Sequence, residues 1–381
     1  MRKLVLQAAV VTAALAATLL HAAPAAAQSD ILLRLRSGSP LGDRFRVDSS
    51  GGLVAMGNLT VGIIPASGAG SRMMWYPYKN AFRAGYADVN GQFDDAKIGY
   101  YSWAGGNISS APGNYAFAMG NQNMAEGQCG IAIGSGNNVY GNASDGFGTC
   151  GVALGLNNSV KDQAGVAIGQ NAWSDGDAAV ALGYRTTADA DYSMAFGYRA
   201  STNGHTGAKV FGDASTTDSI EAVANNEFAV RAAGGFRFRS NATLTNGCNI
   251  AAGGASITCA SSRTLKENFF AVDGEEVLRR MRDIPVNTWN YIDEGRQSRH
   301  MGPFAEDFWN AFGLGTEPLA IGHLDIDGVN FAAIKALDDR TRQLQASQAE
   351  VERLRTQVES LDARMRELEA LVRDLTARQP R

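Results

Sequence analysis

Two serines stand a few residues from a lysine in Ser261-Ser262-Arg263-Thr264-Leu265-Lys266. A serine hydroxyl becomes a useful nucleophile only when a base takes its proton, and a neutral lysine amine can be that base. A free lysine, with a pKa near ~10.4, is protonated at neutral pH. Burial among apolar groups or a neighbouring cation must lower it first. Leu265 and Phe269-Phe270 flank Lys266 and offer an apolar wall. Arg263 offers either a like charge beside the lysine or a donor for a developing oxyanion. A serine and lysine at this spacing are common by chance, so the weight falls on the elements around them.

Those elements follow in order. Leu265-Lys266-Glu267-Asn268 leads into an amphipathic helical stretch, then the aromatic Trp289-Asn290-Tyr291, then Arg299-His300-Met301-Gly302-Pro303-Phe304-Ala305-Glu306-Asp307. This succession resembles the endosialidase-type intramolecular chaperone, the self-cleaving domain that ends many phage tail spikes and fibres. The resemblance implies Ser261 as nucleophile, Lys266 as base and a cut between Ala260 and Ser261. Ser262 stands where that family more often carries Asp, which makes it an alternative nucleophile with the cut shifted by one residue. His300 lies in the family's His-apolar-Gly-x-x-Ala-x-Asp element, where it either assists the dyad or bonds within the fold. A chaperone domain that folds without cutting is the alternative for the whole segment. His323 near Asp325 and Asp327 reads as solvated turn residues before the last helix rather than a metal site. No cofactor is expected.

Upstream, short apolar-Ala-apolar-Gly units recur: Ala118-Met119-Gly120, Ala132-Ile133-Gly134, Ala153-Leu154-Gly155, Ala167-Ile168-Gly169, Ala181-Leu182-Gly183 and Ala195-Phe196-Gly197. Their glycines are 14, 21, 14, 14 and 14 residues apart, the long step holding an insertion around Asp145-Gly146-Phe147-Gly148. A fixed short period means stacked units, each too small to bury a core alone. Alternation puts two larger apolar residues on one face with a small residue between them, and the glycine permits a tight turn. Val210-Phe211-Gly212 reads as a degenerate last copy. The pattern resembles the head repeats of YadA-type trimeric adhesins, which implies left-handed parallel β-rolls from three chains packed about one axis.

Before the repeats, Ile31–Arg36, Phe45–Val47 and Leu53–Met56 read as short strands, and the aromatic-rich stretch from Met73 to Gly85 as a capping core or a sugar-binding face. After them, Phe228 to Phe238 reads as two strands around Gly234-Gly235, a β-rich connector. Four cysteines suit an oxidising compartment. Cys248 with Cys259 is the favoured pair, Cys129 with Cys150 a pair across rungs, and free buried thiols the alternative.

From Leu337 onward apolar residues keep a heptad: Leu344, Val351, Val358, Met365 and Val372 on one seam, Leu354, Leu361, Leu368 and Leu375 on the other. Arg340 and Ser347 break the second seam early. Both seams apolar over consecutive heptads predict a parallel coiled coil. Glu350 with Arg355 and Arg364 with Glu369 stand at flanking positions where neighbouring helices pair. These residues leave the oligomer number open, and the two family resemblances imply three.

Arg2 and Lys3, the apolar run Leu4 to Leu20 and Ala25-Ala26-Ala27 read as a secretory signal peptide. No later segment reaches the ~20 apolar residues of a membrane-spanning helix. A net charge of −4 argues against nucleic acid as a partner, and 44 glycines in 381 residues exceed the usual share. The expected order is signal peptide (1–27), N-terminal β-rich region (28–115), head repeats (116–212), connector (213–260), chaperone and autoprotease domain (261–336) and coiled coil (337–381). The fold is expected to be mainly β with an α C-terminus. The reading is a secreted or cell-surface homotrimer of fibre or adhesin type, cleaving itself once. A host glycan or matrix protein is the kind of ligand its head would take. A retained structural appendage and a fibre with a glycan-degrading head are the competing readings; the latter needs paired carboxylates across a cleft.

Overall fold

The computed structural model describes residues 31–37, 42–141 and 150–377. The signal-peptide segment and the insertion at Asp145–Gly148 lie outside the described residues. The chain divides into two compact units between Ala260 and Ser261.

The N-terminal unit is built on strand stacking. Val152–Leu156 lies parallel to Val166–Gln170, which lies parallel to Val180–Tyr184, with Ala153, Ala167 and Ala181 in register. Repetition of this step gives an 11-stranded sheet, and a second, seven-stranded parallel sheet of two-residue strands runs alongside it. The alanine of each rung points between the sheets: Ala118, Ala132, Ala153, Ala167, Ala181 and Ala195 are all 0% exposed. Ala125, Val139, Val160, Ser174 and Ala188 face them from the short strands and are equally buried. A thin interior therefore takes small residues, and the larger members of each rung, such as Val166 and Ile168, turn outward and stay partly exposed.

Polar groups inside the stack are satisfied by a ladder. Asn137 Nδ2 donates to the carbonyls of Ile133 (2.9 Å) and Gly155 (2.7 Å) and to Asn123 Oδ1 (3.0 Å). Asn158 repeats the arrangement against Leu154, Gly169 and Asn137. An unsatisfied buried amide would cost about 1–3 kcal/mol, so the ladder is a condition of the thin core.

The stack extends beyond the expected limits at both ends. Trp103–Asn107 is already a rung, paired in register with Phe117–Asn121. Lys209–Gly212 is a full rung, and Phe228–Arg231 adds another after it. A rung needs backbone pairing and a small inward residue, which Ala104 and Ala229 supply without the Ala-Ile-Gly text. Phe228–Arg231 and Phe236–Arg239 are accordingly not hairpin partners, because the latter pairs with Gly247–Ile250. The aromatic-rich segment forms the antiparallel pair Gly70–Tyr76 and Ala81–Ala87 at the start of the long sheet. There Arg83 is buried, donates to Ser102 O, Ser102 Oγ and Ala111 O, and is lowered to about 10 by desolvation.

Both cysteine pairs are bonded. Cys129 occupies the left-handed turn position (φ 54°) held by Tyr115 (φ 60°) one rung earlier, and Cys150 stands one period before Ala164 (φ 53°). The two cysteines therefore stack on neighbouring rungs despite the 21-residue separation.

The C-terminal unit packs three helices: α1 (Gly274–Arg282), α2 (Ala305–Phe312) and α3 (His323–Ala377). Asp273 caps α1 by accepting from the backbone of Glu275 and Glu276. Val277, Phe308, Val329 and Ala333 form the core. Arg340 on α3 forks onto Glu275. One expectation is corrected: His323, Asp325 and Asp327 belong to α3 itself, which starts well before Leu337. The reason is packing, since Val329, Ala333 and Ala336 are buried while the heptad residues from Leu337 onward are exposed. Glu350 and Arg355 are paired along the helix, with Arg353 and Glu352 respectively.

Close rung spacing gives a sharp test. A Cβ on Gly169 (φ +128°) would meet the Gly183 carbonyl oxygen at 2.0 Å, whereas one on Gly204 (φ +73°) meets nothing within 4 Å. Gly204→Ala is expected to cost only the left-handed backbone penalty of about 1–2 kcal/mol. Gly169→Ala is expected to cost clearly more, read as a larger fall in Tm by circular dichroism. Equal losses would mean the rungs are not held at this spacing.

Candidate functional site

The segment after the unit boundary begins with Ser261 and an extended Ser262, followed by one 3₁₀ turn, Arg263–Leu265. The turn is closed by Leu265 N–H to Ser262 O (3.1 Å) and Lys266 N–H to Arg263 O (3.2 Å). Ser262 caps it: its Oγ accepts from Thr264 N–H at 3.3 Å and lies 2.9 Å from Thr264 Oγ1. The turn brings the residue five positions on back to the start of the segment. Lys266 Nζ lies 2.6 Å from Ser261 Oγ, a direct path for one proton.

The geometry separates the two serines. Ser261 faces the amine, while the Ser262 hydroxyl is engaged in the cap with Thr264, a partner that the sequence reading passed over. A short side chain two residues after a capping serine was the available signal.

Other expected participants are placed differently. The Arg263 guanidinium lies over the Phe269 ring at 5.3 Å. The apolar wall expected around Lys266 is not assembled within one chain: Phe269 is 61% and Phe270 87% exposed. Neighbours in sequence flank the lysine without packing on it, because an extended segment of this length has no second layer to fold against. His300 Nε2 is 2.8 Å from Glu294 Oε2, and its ring packs on Trp289 and Tyr291. Among the described residues no hydrogen bond joins His300 to Ser261 or Lys266. Glu294 was not anticipated, and the hydrogen bond from His300 holds its carboxyl below the ordinary range. Arg299 secures the same hairpin by donating to Thr288 O and Oγ1, both at 2.7 Å. Strands Asn287–Trp289 and His300–Gly302 form that hairpin.

Residues 261–313 match the family described as Chaperone of endosialidase. Residues 111–137, 163–186 and 174–200 match the YadA head domain repeat. The chain thus carries segments similar to two families, head repeats in one compact unit and the chaperone match beginning at the first residue of the other. No curated protein and no solved structure matches the chain. No helix among the described residues is long and apolar enough to cross a membrane.

The His300–Glu294 pair carries a pH dependence with a definite sign. The Glu294 pKa is depressed in the folded chain. Its contribution is therefore present above the ordinary glutamate value of about 4.3 and is lost as pH falls through the lower folded value. The Tm difference between wild type and Glu294→Gln is expected to be present near pH 6 and to close as pH falls below 4. A difference independent of pH would assign the effect to packing.

Proposed function

We propose that this chain is a secreted or surface-exposed homotrimeric fibre of adhesin type. Its C-terminal unit guides assembly and then cuts itself off between Ala260 and Ser261. The observation that carries this reading is the 2.6 Å approach of Lys266 Nζ to Ser261 Oγ at the first residue of that unit. Three-chain assembly rests on the similarity to trimeric families, together with two apolar surfaces, the first partly exposed and the second exposed. One is the outward column of larger residues on the long sheet, and the other is the pair of heptad seams on α3. A parallel coiled coil sets three chains in register, which a repetitive stack cannot do for itself, since slipping one repeat preserves its pattern.

The chemistry is short. Lys266, as the neutral amine, takes the Ser261 Oγ proton, and the oxygen attacks the Ala260 carbonyl carbon through a five-membered ring. The Ala260–Ser261 C–N bond breaks, the proton on Lys266 passes to the freed Ser261 nitrogen, and Ala260 is left as an ester on Oγ. Water then attacks that ester, releasing Ala260 as a carboxylate and restoring the hydroxyl. One bond is broken per chain. The neutral amine requires desolvation, and a single chain leaves Lys266 exposed. Neighbouring copies are the source of that cover, so cutting follows assembly.

Intact mass and N-terminal sequencing of the purified chain test the cut. Wild type is expected to give a fragment beginning at Ser261, while Ser261→Ala, Lys266→Ala and Lys266→Arg remain whole. The last keeps the charge and loses the base. Ser262→Ala, which loses a cap worth about 1 kcal/mol, is expected to slow cutting without moving the site. A fragment beginning at Ser262 would transfer the nucleophile to that residue. An intact wild-type trimer would mean a retained assembly domain.

Assembly has its own test. Glutamate at both Leu354 and Leu361 places charges in the seam, and analytical ultracentrifugation is expected to show loss of the trimer. Cleavage should fall at least about tenfold with it, following the loss of desolvation. Unchanged cutting by a monomer would separate the two activities.

A further inference from the structure

The residue before the scissile bond is held by a covalent staple. Strand Ile257–Cys259 has three residues, is exposed throughout and lies at the edge of a three-stranded sheet. So short an exposed edge strand is a weak anchor by itself. Cys259 is directly opposite Cys248 in the antiparallel pair with Gly247–Ile250, and the two are joined by a disulfide. The ladder continues one residue past the strand, where Ala260 N–H donates to Gly247 O at 2.9 Å. On the other side of the bond the next residue after Ser261 is the Ser262 cap. Only Ala260 and Ser261 stand between a covalent cross-link and a capped turn.

Resting on the proposed self-cleavage, we infer that the Cys248–Cys259 disulfide is a positioning element for that reaction. It makes cutting conditional on oxidation of the chain. The attacking oxygen belongs to the residue whose own peptide bond is broken, so the approach depends on the backbone angles of Ala260 and Ser261 more than on any docking. Fixing Cys259 restricts Ala260 to the orientation set by its bond to Gly247. With two thiols instead, the edge strand frays and the Ala260 carbonyl samples orientations that Ser261 Oγ cannot attack. Misplacement on this scale costs about 10–100-fold in rate. The Cys129–Cys150 disulfide, on the stacked rungs, has no such adjacency to the bond.

The experiment uses the full chain. Reduced precursor is made under thiol reductant and then given oxidised glutathione. The thiols of Cys248 and Cys259 lose two electrons and two protons, and glutathione disulfide leaves as two glutathione thiols. Mass spectrometry follows closure of the bond and appearance of the fragment beginning at Ser261. The expected result is cutting that rises after the Cys248–Cys259 bond closes. Paired Cys248→Ser and Cys259→Ser should slow cutting about 10–100-fold while native mass still shows the wild-type assembly. Paired Cys129→Ser and Cys150→Ser should leave the rate unchanged.

Hydroxylamine, which cuts serine esters, should not rescue the slow variant, because the acyl shift is the lost step. Rescue would place the disulfide at ester hydrolysis and overturn the inference as stated. Equal rates in the reduced and oxidised chains would overturn it, as would slowing that merely tracks loss of assembly. A wild-type oxidised chain that never cuts at Ser261 would instead overturn the proposed self-cleavage beneath it.

Discussion

The distance between one rung and the next governs the N-terminal unit. Parallel strands stand about 4.8 Å apart, and at Gly169 the carbonyl of Gly183 already occupies the place a side chain would need. Across the regular rungs that spacing and the thinness of the stack favour small interior residues, alanine, serine, threonine and valine, with an asparagine ladder beside them. The larger apolar residues are consequently displaced to the outside. Its interior is complete, and its surface carries apolar side chains in a continuous column. The C-terminal unit carries a second apolar surface, the heptad residues of α3, which are exposed from Leu337 onward.

The C-terminal unit shows a division of labour between adjacent, chemically identical residues. Ser262 is spent on shaping the chain, since its hydroxyl caps the turn that returns Lys266 to its start. Ser261, one residue earlier, is left facing the amine. His300 and Glu294 sit in a separate hairpin with Trp289 and Tyr291, where their hydrogen bond organises aromatic packing.

Legibility in the sequence followed the range of the interactions concerned. The repeats were readable because each Ala-apolar-Gly unit reports its own geometry; Ser261 and Lys266 stood out only through the text that follows them, and one turn places them 2.6 Å apart. The edges of the stack were not, because Trp103–Asn107 and Phe228–Arg231 join it through backbone pairing that leaves little trace in residue type. The start of α3 was missed for a related reason: His323, Asp325 and Asp327 look like turn residues, and the burial of Val329 and Ala333 against α1 is a tertiary fact. The apolar wall at Lys266 failed because adjacency along an extended chain does not create contact.

The repeat stack also has a metric property. From Val152–Leu156 to Met194–Tyr198 the rungs repeat every 14 residues, each paired in register with its neighbours. Deleting or duplicating one unit removes or adds a floor without disturbing the rest, and changes the height by about 4.8 Å. The reach of such a stack is thus quantised. An in-frame change of 14 residues would lengthen or shorten it by one whole storey.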